Sequence, residues 1–573
     1  MARQIFFSEK YKSLFSDYRG LMPLDEFSKV TGRRVRGDVS AFPKVFLGGL
    51  AIFLLFALPL RAEVELVGSK GMLLRPENKD FTMTANGFCA TDFVAAKNTL
   101  DLDNKDKKDS FGYIGANYRL NVDIKYRDDV ELFFGFERIG PLGYDAPILG
   151  RKSVPTISGD LEHYRNREFL PELKETFLDV KAPFTDAYPI RAKAGLFPLS
   201  IGNGFAVTGL YQNYGVQIYH PSETLAWHFN YLKPNWNNDA ILGPTIPQEE
   251  ALGRGYFHTQ ADLFELDTIY QWKKTEQAPG IVPGGSVQPY ISFLSDRTGD
   301  LKRHNLFETQ THQDLLGTLG ADLNLEFGRL AVGFEAAKNF GGAKSTTGDS
   351  GGTGTGDKDV VHKGYLLYAD AAYDLKEYWL KPRSKVIVAS GNKQDDSSGG
   401  LIHGSTNRAF SVYSPLNTNL SYSVYPPQKM APLLFMGNTW GNNYGVRRPG
   451  TFNDPVLFEN IVTPNVGLDI TPHPKLTLTA DWWHFSSFEQ GVGTYNEISR
   501  KLSRNLGDEF DFGATVNVTK ALDLNLGLGY FIPGDYYKAA RDPDSGTTFS
   551  PQANSAGVAN RALYFETRVT VKF

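Results

Sequence analysis

Along this chain apolar and polar residues change places at every second position, in segment after segment of ~10 residues. A period of two belongs to extended strands, whose side chains go alternately to the two faces of a sheet. At the end of the chain Leu563, Phe565, Thr567, Val569, Val571 and Phe573 alternate with Tyr564, Glu566, Arg568, Thr570 and Lys572. Earlier, Tyr118, Leu120, Val122, Ile124 and Tyr126 stand against Arg119, Asn121, Asp123 and Lys125. After Arg127-Asp128-Asp129 the return strand sets Val130, Leu132, Phe134 and Phe136 against Glu131 and Glu137. Leu319 to Phe327 and Leu330 to Ala336 repeat the device around Gly328-Arg329, and Phe510 to Val518 and Leu522 to Tyr530 repeat it around Thr519-Lys520. A soluble sheet with one wet face gives the same alternation, so one strand decides nothing. The number of such segments does, because a membrane barrel needs every strand to face lipid on one side and lumen on the other.

The connections fall into two classes that alternate. Short turns stand near Arg127-Asp128-Asp129, 182–189, Pro221-Ser222, Gly328-Arg329, 375–379, 471–475 and 519–521, and long polar loops lie at 140–171, 200–213, 234–254, 296–313, 339–362, 391–454, 486–505 and 532–560. Bacterial barrels keep short turns on the periplasmic side and long loops outside, so parity counts the strands. With 256–272 as one long strand and a first strand around Phe81-Met83-Ala85, the total is about eighteen, an even number as the class requires. The predicted fold is therefore all-β, a transmembrane antiparallel barrel.

The beginning of the chain agrees. Arg33, Arg34 and Arg36 precede an apolar run over 45–60, which ends in Leu60-Arg61-Ala62. This is a charged region, an apolar core and a small residue at a cleavage point, too short to span a bilayer as a helix. Arg33-Arg34 lacks an apolar residue two places on, where Arg36 stands, and reads as ordinary signal charge. Residues 1–62 are thus an arm and a cleaved signal peptide, with a true start nearer Met22, and 63–573 form one barrel domain. No later run is long and apolar enough for a transmembrane helix. One cysteine, Cys89, leaves an exported chain without disulfides, and the reading for it is a buried free thiol. A net charge of −4 with 22% charged residues carries no nucleic-acid signature.

The last strand, closing on Phe573, resembles the C-terminal signal that the barrel assembly machinery reads in Gram-negative outer-membrane barrels. A wider resemblance covers the C-terminal third. Asp481-Trp482-Trp483-His484-Phe485, Tyr495-Asn496, the Gly-x-Glu-x-Asp of Gly507-Asp508-Glu509-Phe510-Asp511 and Gly529-Tyr530-Phe531-Ile532-Pro533-Gly534-Asp535 follow the order found in the alginate-export porin family. The Gly-rich segment Ala194 to Gly204 is similar as well. The resemblance implies a monomeric eighteen-stranded barrel in the outer membrane and passage of an acidic polysaccharide.

That cargo needs a basic constriction, since Arg and Lys must replace the hydration a polyuronate loses. The charges expected to line the pore are mostly acidic: Asp123, Glu131, Glu137, Glu175, Asp179, Asp322, Glu326, Glu335, Asp370, Asp469, Asp481, Asp511, Asp523 and Glu566. Against them stand Arg119, Lys125, Arg191, Lys193, Arg568 and Lys572. Basic clusters sit in loops, at Arg165 with Arg167, Lys302-Arg303, Arg447-Arg448 and Arg500-Lys501 with Arg504, where an infolded loop would bring them to the pore. The expectation is a porin-like or exporter-like channel for hydrophilic solutes or oligosaccharides, without strong anion preference. The alternative is a barrel sleeve that houses a secretion or electron-transfer partner. Loop 391–454, with Tyr413, Tyr422, Tyr425, Trp440 and Tyr444, reads either as a plug or lid, or as an external cap.

No enzyme, metal or cofactor is expected. Gly348-Asp349-Ser350-Gly351-Gly352 spells a protease nucleophile motif, but inside a Gly, Ser and Thr run and without a base to serve it. Asp101, Asp103 and Asp106 interleave with Lys105, Lys107 and Lys108 and lack the glycine and terminal glutamate of a calcium loop.

Overall fold

The computed structural model describes residues 62–66, 72–76, 80–98, 111–141, 172–183, 185, 188–205, 207–209, 213–234, 261–273, 283–296, 311–345, 360–391, 406–407, 433, 460–490, 492–495, 498–501, 503–539 and 560–573. The signal segment, the serine motif, the aspartates at 101–106 and the loop clusters at 165–167, 302–303 and 447–448 lie outside them.

Eighteen strands follow one another around a closed antiparallel sheet. They are β1 (Phe81–Lys97), β2 (Phe111–Tyr126), β3 (Val130–Pro141), β4 (Glu172–Lys181), β5 (Arg191–Leu196) and β6 (Asn213–His220). Then come β7 (Leu225–Pro234), β8 (Ala261–Trp272), β9 (Gly284–Asp296), β10 (Thr311–Phe327), β11 (Leu330–Ser345) and β12 (Tyr365–Tyr373). The last six are β13 (Leu380–Ala389), β14 (Ile461–His473), β15 (Leu476–Ser486), β16 (Asn505–Asn517), β17 (Leu522–Pro533) and β18 (Ala562–Lys572). Each pairs with its neighbours in sequence, and β18 returns to β1 in a register running from Leu563 opposite Lys97 to Lys572 opposite Phe88. The parity count holds, including the single strand that ends at Trp272 and a first strand at Phe81. A further connection at 273–283, absent from the predicted turns, completes the alternation of short and long links.

At the short-turn end Phe573 exchanges both backbone hydrogen bonds with Gly87, at 2.9 and 3.0 Å. A side chain at position 87 would meet the Arg119 carbonyl oxygen of β2 at 2.0 Å, so only glycine lets β1 approach β2 this closely beside the seam. Beyond that point β1 continues past the end of β18, and its Met83, Thr84 and Ala85 pair instead with Leu74, Leu73 and Met72. Turn residues at this end are clamped by exposed ion pairs such as Arg329 with Glu377, one contact at 2.7 Å. The hydrogen bonds from Arg329 hold the Glu377 carboxyl below its ordinary range. The clamp is therefore present at neutral pH and is lost as pH falls through the carboxylate range.

The distribution of burial separates this sheet from a soluble one. On β18 Ala562, Tyr564, Glu566 and Arg568 are buried, whereas Leu563, Phe565, Val569 and Val571 are exposed. Charge is inside and grease is outside. The same inversion runs round the barrel, with Leu319 55%, Val466 55%, Phe512 51% and Leu367 50% exposed on the outer face. Tyr188, Tyr270, Phe327, Tyr373, Tyr378 and Trp379 add an exposed aromatic girdle at the short-turn end. Leu319 lies midway along β10, so Leu319→Arg should destabilise the folded barrel in bilayers by about 2–4 kcal/mol. Urea unfolding in lipid vesicles measures this, and a cost near zero would mean that the face does not meet hydrocarbon.

Cys89 departs from expectation. It is exposed, because its parity on β1 places it on the outer face between Gly87 and Thr91, away from the buried Ala90 and Asp92.

Candidate functional site: the inner wall and its infolded loop

The inner face has two zones. Toward the long-loop end its residues are apolar, with Val94 and Ala96 on β1, Leu232 on β7, Leu263 on β8, Leu294 on β9, Leu316 on β10, Leu366 on β12, Ile387 on β13, Ile461 on β14, Phe485 on β15 and Phe531 on β17 all buried in one cluster. Below this belt the wall is charged.

Most of the predicted charges are on that wall, and they are brought together as separate pairs rather than as one centre. Arg119 bonds Glu175 and lies 3.8 Å from Glu137. Lys125 sits 3.2 Å from Asp123 and 3.4 Å from Glu131. Arg191 meets Asp179 at 2.9 Å, and the Tyr219 hydroxyl donates to the other Asp179 oxygen at 2.5 Å. Lys193, 4.0 Å from the same carboxylate, places its ammonium 4.6 Å from the centre of the Phe177 ring. Lys572 pairs with Asp523, and the Tyr564 hydroxyl donates to Glu566 at 2.7 Å. Arg568 forms a two-point bond to Asp92, both side chains almost fully buried, with one contact at 2.8 Å. Asp370 is half-buried beside Gly333, and Glu326 is exposed near the end of β10.

Several charged residues of this wall escape a reading of sequence alone. Arg383 on β13 donates to Asp469 at 2.8 Å and to both oxygens of Asp481 at 2.7 and 2.6 Å, joining two wall acids. Lys385, two residues on, stands 5.0 Å from the Trp483 ring centre. Asp92, Glu265, Asp267 and Glu509 are buried acids on the same face. The Lys381-Pro382-Arg383-Ser384-Lys385 alternation was the available signal, masked because Pro382 and Ser384 are not the apolar residues that mark an outer face.

The link between β5 and β6 does not stay outside. Two short strands, Leu199–Ile201 and Val207–Gly209, make a hairpin, and Phe197, Leu199, Ile201 and Phe205 are buried in the apolar belt. Its tip crosses to the far wall. The Asn203 backbone N–H donates to Glu335 at 2.9 Å, and its side-chain amide donates to Glu335 and to Asp322, both at 2.8 Å. Phe205 rests 5.1 Å from the Tyr368 ring on β12. Gly202 has φ +60°, and a side chain there would strike the Glu335 carboxylate at 2.7 Å. From loop 391–454 the described residues are Gly391, Thr406, Asn407 and Leu433. Leu433 is inside, its N–H 3.2 Å from Asp511.

A closed sheet that buries charge and exposes hydrocarbon satisfies its backbone only in itself and its outer face only in lipid. This defines a bacterial outer-membrane β-barrel, with the short turns periplasmic and the long loops extracellular, built as a channel for solutes. Residues 435–550 match the family model described as alginate export, in the region where the sequence resembles that family. No curated protein matches the chain. Among solved structures it is similar to OccAB1 of Acinetobacter baumannii, at 10% identity and TM-score 0.45 over 89% of this chain and 99% of that one. It is also similar to the outer membrane protein OprD of Pseudomonas aeruginosa, at 9% identity and TM-score 0.42 over 85% and 94%.

Proposed function

We propose a constricted, non-catalytic channel for hydrophilic solutes that are neutral or cationic, in which the β5–β6 hairpin sets the open cross-section and the inner-wall charges line the path. The observation that carries this reading is that Arg119, Arg191, Arg383 and Arg568 are each already bonded to a wall carboxylate. Alginate export, as the matching family is described, asks for basic groups that can turn to the polymer. Arginines locked to wall carboxylates cannot do so without leaving those carboxylates unpaired. Rings of Asp and Glu favour cations instead. In planar bilayers under a salt gradient, the reversal potential should show no anion preference, and strong anion selectivity would overturn the reading.

The remaining assignments follow the same architecture. A signal peptide cleaved near Glu63 exports the chain, the C-terminal strand is recognised by the barrel assembly machinery, and the barrel works as a monomer. The closed 1-to-18 strand pairing, which leaves no open edge for a second copy along β1 and β18, supports the last of these.

A further inference from the structure

A cation pointing outward from a membrane barrel is costly in mid-bilayer and nearly free of cost only at the headgroups. Two pairs of cations do so toward the long-loop end. At the seam, Lys97 of β1 stands opposite Leu563 of β18, and Arg561 lies two residues further along with the outward parity of Leu563. Elsewhere on the outer face, Lys338 of β11 stands opposite Tyr365 of β12, and Lys363 lies two residues ahead of Tyr365. Each pair is thus a diagonal pair across two strands, with backbones roughly 7–8 Å apart. All four residues are exposed, and among the described residues none of them meets a carboxylate. Outward cations at this end can be given an acid, as Lys233 is by Asp262.

The two pairs share their surroundings. The Arg561 guanidinium lies 5.7 Å from the centre of the Tyr530 ring, and the Lys338 ammonium 5.6 Å from that of Tyr365. Each pair is also tied across its strands, by Asn98 Nδ2 donating to the Arg561 carbonyl at 3.1 Å and by Lys338 Nζ donating to the Lys363 carbonyl at 2.6 Å. Toward the short-turn end the same face continues in exposed apolar side chains, Phe93 and Phe565 at the seam and Phe334 and Leu367 at the second pair. A small anion would leave that apolar surface unused. A neutral lipid would leave the cations without counter-charge. An anionic headgroup carried on acyl chains meets both, and paired Lys and Arg groups hold phosphate through charge-assisted hydrogen bonds. We propose that Lys97 with Arg561, and Lys338 with Lys363, are two seats for the phosphates of a phosphorylated glycolipid of the outer leaflet, of the lipid A type, whose acyl chains lie on the apolar side chains beneath. At the seam the phosphate would join the first strand of the barrel to the last.

Native mass spectrometry of the detergent-purified full chain, titrated with diphosphoryl lipid A or with the same lipid stripped of its phosphates, tests the seats. Wild type should retain two diphosphoryl lipids and bind the stripped lipid at least about tenfold more weakly, the loss expected when charge-assisted hydrogen bonds are removed. Lys97→Gln with Arg561→Gln should retain one lipid, Lys338→Gln with Lys363→Gln should retain one, and the four changes together none. Lys97→Arg with Arg561→Lys keeps the charge and should retain both. Undiminished binding in the fourfold variant overturns the proposal, as does equal binding of the stripped lipid, which would mean contact with the apolar face alone. Equal loss in the charge-keeping variant overturns it too, since shape rather than charge would then hold the lipid. Heat-modifiable migration in SDS gels reports folding, and if the fourfold variant does not fold, the two double variants decide.

Discussion

Replacing 199–209 by a short Gly-Ser linker should raise unitary conductance several-fold and admit larger sugars in liposome swelling. The hairpin fills the lumen where the wall is apolar, and each of its buried Leu, Ile and Phe side chains contributes roughly 1.5–3 kcal/mol on removal from water. Its tip is fixed by three donated hydrogen bonds from Asn203 to Glu335 and Asp322. Both anchors must be lost for the cross-section to widen, so Asn203→Ala alone should have a smaller effect. Gly202→Val, which forces the tip off Glu335, should fall between the two. An unchanged conductance and size limit after the deletion would show that other loops, not this hairpin, set the bore.

Arg568→Ala should be the most damaging single change to the barrel itself. It leaves Asp92 charged and unpaired inside the wall at the junction of β1 and β18, a loss of about 3–5 kcal/mol. The readout is the temperature at which the folded, fast-migrating form disappears in SDS gels. Asp92→Leu combined with Arg568→Met should recover most of the loss, because an apolar pair of similar volume replaces a buried ion pair at little cost. A double variant no better than Arg568→Ala would show that the seam requires the ion pair itself, and that the loss is not the cost of an orphaned charge.

The strands were legible because lipid on one side and a polar lumen on the other impose opposite demands on alternate residues. Where those demands weaken, the signal goes with them. On β1 the outer face carries Gly87, Cys89 and Thr91 and the inner face Ala90, Val94 and Ala96, so hydropathy hardly alternates, and the strand was visible only through parity. Cys89 was misjudged for the same reason. Burial is the ordinary fate of a free thiol in a soluble core, but here a small residue on the outer face counts as lipid-facing. Arg383 and Lys385 were hidden by non-apolar neighbours. The infolding of the β5–β6 link had a trace in Phe197 and Leu199, just before the segment read as polar loop, and in Ile201 and Phe205 within it. The docking of Asn203 on Glu335 and Asp322 had none, since it joins positions 132 and 119 residues apart.

The seam also orders events in time. Asp92 and Arg568 are 476 residues apart, so the pairing that closes the barrel is the longest-range contact it makes among those described here. Closing so large a loop is slow for a free chain. Until β18 pairs, Met72 to Leu74 cover the lower part of that edge of β1 and, among the described residues, nothing covers the upper part, so one strand, Ala562–Lys572, both completes the sheet and removes its open edge.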